Sequence, residues 1–172
     1  MTPEQFLNAY PLISEWIKKT LSDHMIRVQP VISAKFSRLL LYFSRDLLTS
    51  TKFVVVDQVP VPPLSSMGLP QFADFELGEY DGITYLDTFF VRRECVSHER
   101  LYFHELIHVV QWRLLGMERF IAEYAAGLST FGYRNSPLEV MAYEAEESFA
   151  MQSLVFNAEN FVKIRLDKAR SV

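Results

Sequence analysis

The chain of 172 residues contains one cysteine, four histidines and six glycines. A single thiol, Cys95, excludes an intrachain disulfide, which suits a reducing compartment and leaves packing to hold the fold. Lysine and arginine are scattered rather than clustered, and the formal net charge is −4. No basic stripe exists to track phosphates, so neither nucleic acid nor an anionic membrane is an expected partner. No apolar run approaches the roughly 20 residues that a membrane span requires. No basic segment followed by an apolar core opens the chain, so the expected location is cytoplasmic. Internal repeats and low-complexity segments are also missing. At this length the expectation is one domain over residues 1–172, with a core of its own.

Aromatic residues are plentiful, with 14 Phe and 8 Tyr. Thr2-Pro3-Glu4-Gln5 has the form of a capping box with proline in the first helical turn. Phe6, Tyr10, Ile13, Ile17 and Leu21 follow at helical spacing, with a break or kink expected at Pro11. A second helix is expected over 33–48, with Phe36, Leu39, Leu40, Phe43 and Leu47 inward, so that residues 1–50 form a helical scaffold. In the next part, 52–93, the β-branched run 52–56 reads as a strand. Pro60, Pro62, Pro63 and Pro70 then mark a packed irregular loop. Asp81-Gly82 predicts a hairpin between 72–80 and 82–91.

The densest chemistry lies in a predicted helix over 97–115, opened by Ser97 and stopped by Gly116. It carries His104-Glu105-Leu106-Ile107-His108. Residues four apart share one face of a helix, so both imidazoles can hold one metal ion while Glu105 reaches the same place from the side. A plainer account is a buried helix whose histidines bond to neighbours. Leu106, Ile107, Val109 and Val110 make this a core helix, and a core helix rarely turns two histidines and a glutamate inward without partners.

Catalytic zinc sites have three protein ligands and one open position. No histidine or cysteine follows His108, so the third ligand must be acidic. Beyond a short helix over 118–126 and a turn-rich link over 127–135, Glu139 stands in the first turn of a helix expected over 136–155. Ser136-Pro137-Leu138-Glu139 is also a capping box, which would draw the same carboxylate back to Ser136. Glu146, two turns along that face, is the alternative ligand, or else orients a histidine from behind. A last helical stretch begins at Asn157 and ends in a polar tail over 168–172.

With these residues in place, the stretch 82–146 resembles the metallopeptidases of the zincin fold that use a glutamate third ligand, the gluzincin type, and is most similar to small bacterial domains of that kind. Gly82-Ile83-Thr84-Tyr85 stands where they have an edge strand, and Glu139-Val140-Met141-Ala142 is similar to their E-x-x-A motif. Several of them have aspartate four residues after the ligand, where this chain has Tyr143. The resemblance implies an α+β, mostly helical, zincin-like fold, with a small sheet whose edge strand packs on the motif helix. It implies one Zn²⁺ per chain on His104, His108 and Glu139, and hydrolysis of a peptide or protein substrate with Glu105 as general base. Tyr143 and Tyr133 are candidate donors to the oxyanion. The strand 83–90 is expected to take an extended peptide as a further strand. The alternative is an inactive zincin-like module that binds a protein partner through the same cleft.

Overall fold

Thr2 starts the first helix as its neighbours dictate. Its hydroxyl accepts the Gln5 N–H at 3.1 Å, and the Gln5 side chain accepts the Thr2 N–H at 2.9 Å. The computed structural model describes residues 2–151 and 154–169. Helix α1 (Pro3–His24) runs through Pro11 without ending. The break expected there is absent because Pro11 and Leu7 both lie on the exposed face, where water can serve the carbonyl that proline leaves unbonded.

The helix expected over 33–48 is broken into pieces. Two 3₁₀ turns, Val31–Ala34 and Ser37–Leu41, precede a short helix α2 (Arg45–Ser50). Lys35, at φ 61°, ends the first turn. Ser33 Oγ donates to the Pro30 carbonyl at 2.7 Å, and Ser44 Oγ accepts the Leu47 N–H at 3.2 Å to cap α2. Serines that bond nearby backbone compete with a continuous helix, and the apolar spacing alone does not reveal it.

The sheet has four strands in the order β1 (Gln29–Pro30), β2 (Lys52–Val56), β4 (Thr88–Arg92), β3 (Gly82–Tyr85). Strands β2 and β4 are parallel, with Phe53 opposite Phe89, and the other pairs are antiparallel. The expected hairpin is shifted. Residues 72–80 are not a strand; Pro70–Phe72 is a 3₁₀ turn that leads into helix α3 (Ala73–Glu76). The turn is Leu86-Asp87, with Leu86 at φ 59°, and Asp81-Gly82 enters the strand instead. A leucine in the left-handed region carries no turn signature, so the sequence pointed to Asp-Gly.

Helix α4 (Glu99–Leu115) is the hub. Every residue from Tyr102 to Trp112 is buried, so it has no polar face. It packs on β3, β4, α5 (Met117–Phe131), α6 (Pro137–Ala150) and α7 (Ala158–Ala169). Its residue before the first turn is His98, and Ser97 makes no cap. Gly116, at φ 75°, stops it and turns the chain directly into α5. Helix α5 outruns its expected end because Gly127 belongs to it. A Cβ there would lie 2.9 Å from Ser136 Cβ, so glycine lets α5 approach the start of α6. Helix α6 ends at Ala150; residues 152–153 of its expected extension, and 170–172 of the polar tail, lie outside the described residues. Asn157 caps α7 by accepting the Asn160 N–H at 2.8 Å.

The chain is therefore α+β and mostly helical, with a small mixed sheet. Among the described residues no helix is long and apolar enough to cross a membrane.

Candidate metal centre

His104 and His108 lie one turn apart on α4, and Glu139 approaches them from the first turn of α6. His104 Nε2 and His108 Nε2 are 3.0 Å apart. Glu139 Oε2 is 3.3 Å from the first nitrogen, and Oε1 is 3.4 Å from the second. Donors bonded to one tetrahedral zinc at about 2.0–2.1 Å would stand roughly 3.3–3.4 Å apart, which these spacings approach. All three side chains are buried, with Glu139 only 1% exposed. Among the described residues Glu139 Oε2 has no aligned hydrogen-bond partner. A buried carboxylate oxygen left in that state, beside two imidazole nitrogens, is suited to a cation. The group could hold a metal ion.

Each ligand candidate is oriented from behind. His104 Nδ1 meets Glu146 Oε2 at 3.1 Å, and Glu146 Oε1 accepts from Arg100 at 2.9 Å. His108 Nδ1 meets Gln111 Oε1 at 2.8 Å; Gln111 Nε2 donates to the Leu138 carbonyl at 3.0 Å. Donation from Nδ1 leaves each Nε2 lone pair free for the shared point, the arrangement common behind metal-bound imidazoles. Tyr124 donates to Glu139 Oε1 at 2.6 Å. Glu146 thus stands on the far nitrogen of His104, away from the shared point. Glu139 does not serve as a capping residue: Ser136 makes no side-chain cap bond, and its hydroxyl has no partner among the described residues.

Electrostatics follow from burial and charge. Burial pushes the His104 imidazole down, but the carboxylates of Glu139 and Glu146 outweigh it and raise it to about 10. Burial pushes the Glu139 carboxyl up, while His108 and His104 together hold it well below the usual range. Burial raises Glu105, against the lowering pull of the two histidines and Thr84.

Glu105 faces strand β3. Its Oε2 accepts from Thr84 Oγ1 at 2.6 Å. Its Oε1 occupies the space above Gly82, where a Cβ would come within 2.4 Å of it. The Arg92 N–H donates to the Asp81 carbonyl at 2.9 Å. Alternation along the antiparallel pair then turns the backbone groups of Gly82 and Thr84 to the open edge. Trp112 Nε1 already occupies the Thr84 carbonyl at 3.1 Å. The edge available for pairing is accordingly shorter than the expected 83–90: β4 is an interior strand, and only β3 offers free groups.

A polar groove of about 710 Å³ opens onto His104 and Glu105, with Arg100, Arg134 and Tyr143 along it. The Tyr143 ring lies 4.7 Å from the His104 ring. Tyr133 packs on Tyr80, 5.1 Å between ring centres, at the groove's inner rim. Sequence reasoning missed Gly82 and Thr84 as neighbours of Glu105, and missed Arg100, Gln111 and Tyr124. Gln111 was within reach, three residues after His108 on the same helix. Arg100 was too, four residues before His104 on that helix; Gly82, Thr84 and Tyr124 come from elements whose approach has no local signal. Cys95 is buried away from the group.

Compared with known proteins, the chain matches no family model, no curated protein and no solved structure.

Proposed function

We propose that this protein is a zinc-dependent metallopeptidase of the zincin type, acting on a peptide or protein substrate. The observation that carries the reading is the convergence of His104, His108 and Glu139 on one point, with Glu105 beside it. Their donor set, two imidazoles and a carboxylate with a fourth position free, suits zinc best. Zinc held there supplies Lewis acidity, polarising a carbonyl and acidifying water. Glu105 takes a proton from the attacking water and delivers it to the leaving amine, Thr84 fixing its carboxylate for both transfers. Glu146 and Gln111 keep the two imidazoles aimed, and Tyr124 steadies Glu139. Tyr143 and Tyr133, at the groove, are the donors placed to meet the oxyanion. Strand β3, an antiparallel edge next to α4, and a later helix bearing the glutamate support the zincin assignment.

The test is metal content together with peptide hydrolysis. Wild-type protein is expected to bind one zinc per chain, and Glu139→Ala to lose it. Glu105→Gln is expected to keep the zinc and lose at least about 10²-fold in kcat/KM, the typical contribution of a general base. Zinc retained in Glu139→Ala would remove the glutamate from the ligand set. Zinc bound without hydrolysis of any peptide would leave a metal-stabilised binding module.

A further inference from the structure

Two separate spaces border the three ligand candidates. His104 and Glu105 line the polar groove, and neither His108 nor Glu139 does. His108, Glu139 and Glu105 line a smaller, mainly apolar cavity of about 100 Å³, and His104 does not. Besides Glu105 and Gly82, the residues that border both spaces are Tyr80 and Tyr133. Their rings meet edge to face with 5.1 Å between centres, a packed contact with no room for a chain to pass. The groove is therefore cut off from His108 and Glu139 at this pair.

Of the two rings, Tyr80 is the one able to leave. It ends the short stretch 73–80, which runs from buried Phe72 to the start of β3 at Gly82. Among the described residues that stretch pairs with no strand, and its helix α3 is one turn long. The Tyr80 hydroxyl donates to the Phe75 carbonyl at 3.0 Å, so the ring is pinned to its own stretch rather than to the domain. The Ser65 N–H, bonded to Glu76 Oε2 at 2.8 Å, ties the stretch to the loop before it. Phe75 and Tyr80 are half-buried and Leu77 is exposed, and a segment with so few buried contacts opens at low cost. Gly78 supplies a separate sign of the same device. A Cβ there would lie 2.5 Å from Tyr80 Oη and 2.7 Å from its Cζ. The tyrosine folds back over a residue with no side chain, and its closed position depends on that.

We propose that Tyr80 is a latch. Closed on Tyr133, it shuts the groove off from the inner side of the metal centre, and the stretch 73–80 swings out to admit substrate. The proposal rests on the peptidase reading for the substrate, whereas the latch itself stands on the ring contact and on Gly78. Tyr133 stays with the link before α6, so opening removes a barrier without removing a donor. A competent form populated at about 10% or less lowers the apparent affinity of whatever needs it by about tenfold or more.

The experiment first reads opening without metal or substrate. Trp112 borders the inner cavity and is buried; Trp16, the other tryptophan of the chain, is half-buried on α1 and borders neither space. Acrylamide quenching of Trp112 fluorescence is measured in Trp16→Phe protein, and protein with both tryptophans gives Trp16 by difference. Three substitutions are added in turn. Tyr80→Ala removes the ring, Gly78→Ala drives it off its seat, and Tyr80→Phe keeps it but frees it from the Phe75 carbonyl. Both alanine variants are expected to raise the quenching constant of Trp112 about tenfold, and Tyr80→Phe by less, with Trp16 unchanged. Tyr80 is only half-buried, so its truncation carries the test if Gly78→Ala does not fold. Unchanged quenching of Trp112, quenching in the parent already as fast as that of Trp16, or an equal rise at both tryptophans overturns the latch. The same variants, zinc-loaded, are then given a cleaved peptide, and kcat/KM is expected to rise about tenfold in the alanine variants. Faster quenching with unchanged kcat/KM overturns the latch as a control on substrate. Faster quenching with no peptide cut by any of the proteins upholds the latch and overturns the peptidase reading instead.

Discussion

The replacement of Gly82 by alanine isolates the placement of Glu105 from the metal. The added Cβ would lie 2.4 Å from Glu105 Oε1, 2.9 Å from its Cδ and 3.1 Å from Leu101 Cδ1. A carbon and an oxygen not hydrogen-bonded to one another need about 3.3 Å or more, so a displacement of roughly 0.9 Å must be found. Two routes exist. The carboxylate can rotate away and give up its bond from Thr84, or β3 can move out from α4 and strain the Trp112 bond to the Thr84 carbonyl. The first route costs about 1.5–3 kcal/mol, the worth of a hydrogen bond to a charged group. Propensity works the other way, since alanine in a strand is favoured over glycine by about 0.5–1 kcal/mol. The net expectation is a loss of about 1–2 kcal/mol in stability. Catalysis should suffer far more, because a misplacement of about 1 Å can cost around 10²-fold in rate. None of the three ligand candidates borders the new methyl among its nearest atoms, so zinc content should be unchanged. The assay is kcat/KM on a cleaved peptide, with zinc content and a denaturant titration on the same preparation. A zinc-loaded Gly82→Ala protein with wild-type kcat/KM would refute the role given to Glu105.

Two further substitutions test the groups behind the ligands. Tyr124→Phe removes the only donor to Glu139 Oε1 seen among the described residues, and is expected to weaken zinc binding about 10- to 100-fold, read by competition with a chromogenic chelator. Gln111→Leu strands both His108 Nδ1 and the Leu138 carbonyl, so it should lower the stability of the metal-free protein by about 1–3 kcal/mol and weaken zinc as well; an unchanged denaturation midpoint would show that the amide bridge contributes nothing.

What could be read from the sequence divides along a physical line. Helix α4 announced itself because two histidines stand four residues apart among apolar neighbours, and because burial on all sides demands partners for the polar ones. Glu139 could be reached by elimination, since no histidine or cysteine follows His108. Strand β2 and the capping box at Thr2 are local patterns, and both stand in the structure. Errors arose where a weaker local signal competed with tertiary packing. Leu86 accepts a left-handed turn that Asp81-Gly82 was expected to make. Of the apolar stripe over 36–47, Leu39, Phe43 and Leu47 are buried and Phe36 packs against them, but Leu40, expected inward, is exposed because a 3₁₀ turn and then α2 replace the continuous helix. Tyr124 and Thr84 reach the site from two other elements, and nothing in their own neighbourhoods marks the direction in which they point.

The group that orients His104 comes from further along α6 than position 143. Glu139, Tyr143 and Glu146 stand four and three residues apart and so share one face of α6. Tyr143 places its ring against that of His104, where an aspartate could have reached the imidazole directly. Glu146, nearly a turn further on, has one more methylene and reaches His104 Nδ1 instead. Arg100, one turn before His104 on α4, binds the other oxygen of Glu146, so α4 holds the carboxylate that orients its own histidine. Glu146 is thus the acid that orients His104, and the ring at position 143 leaves a hydroxyl at the groove where a shorter acid would leave none. An acid brought back at that position, Tyr143→Asp, would compete with Glu146 for one nitrogen and bury a second carboxylate beside Glu139, which like-charge repulsion disfavours. Glu146 and an acid at position 143 are alternatives for His104 Nδ1, and the structure uses Glu146.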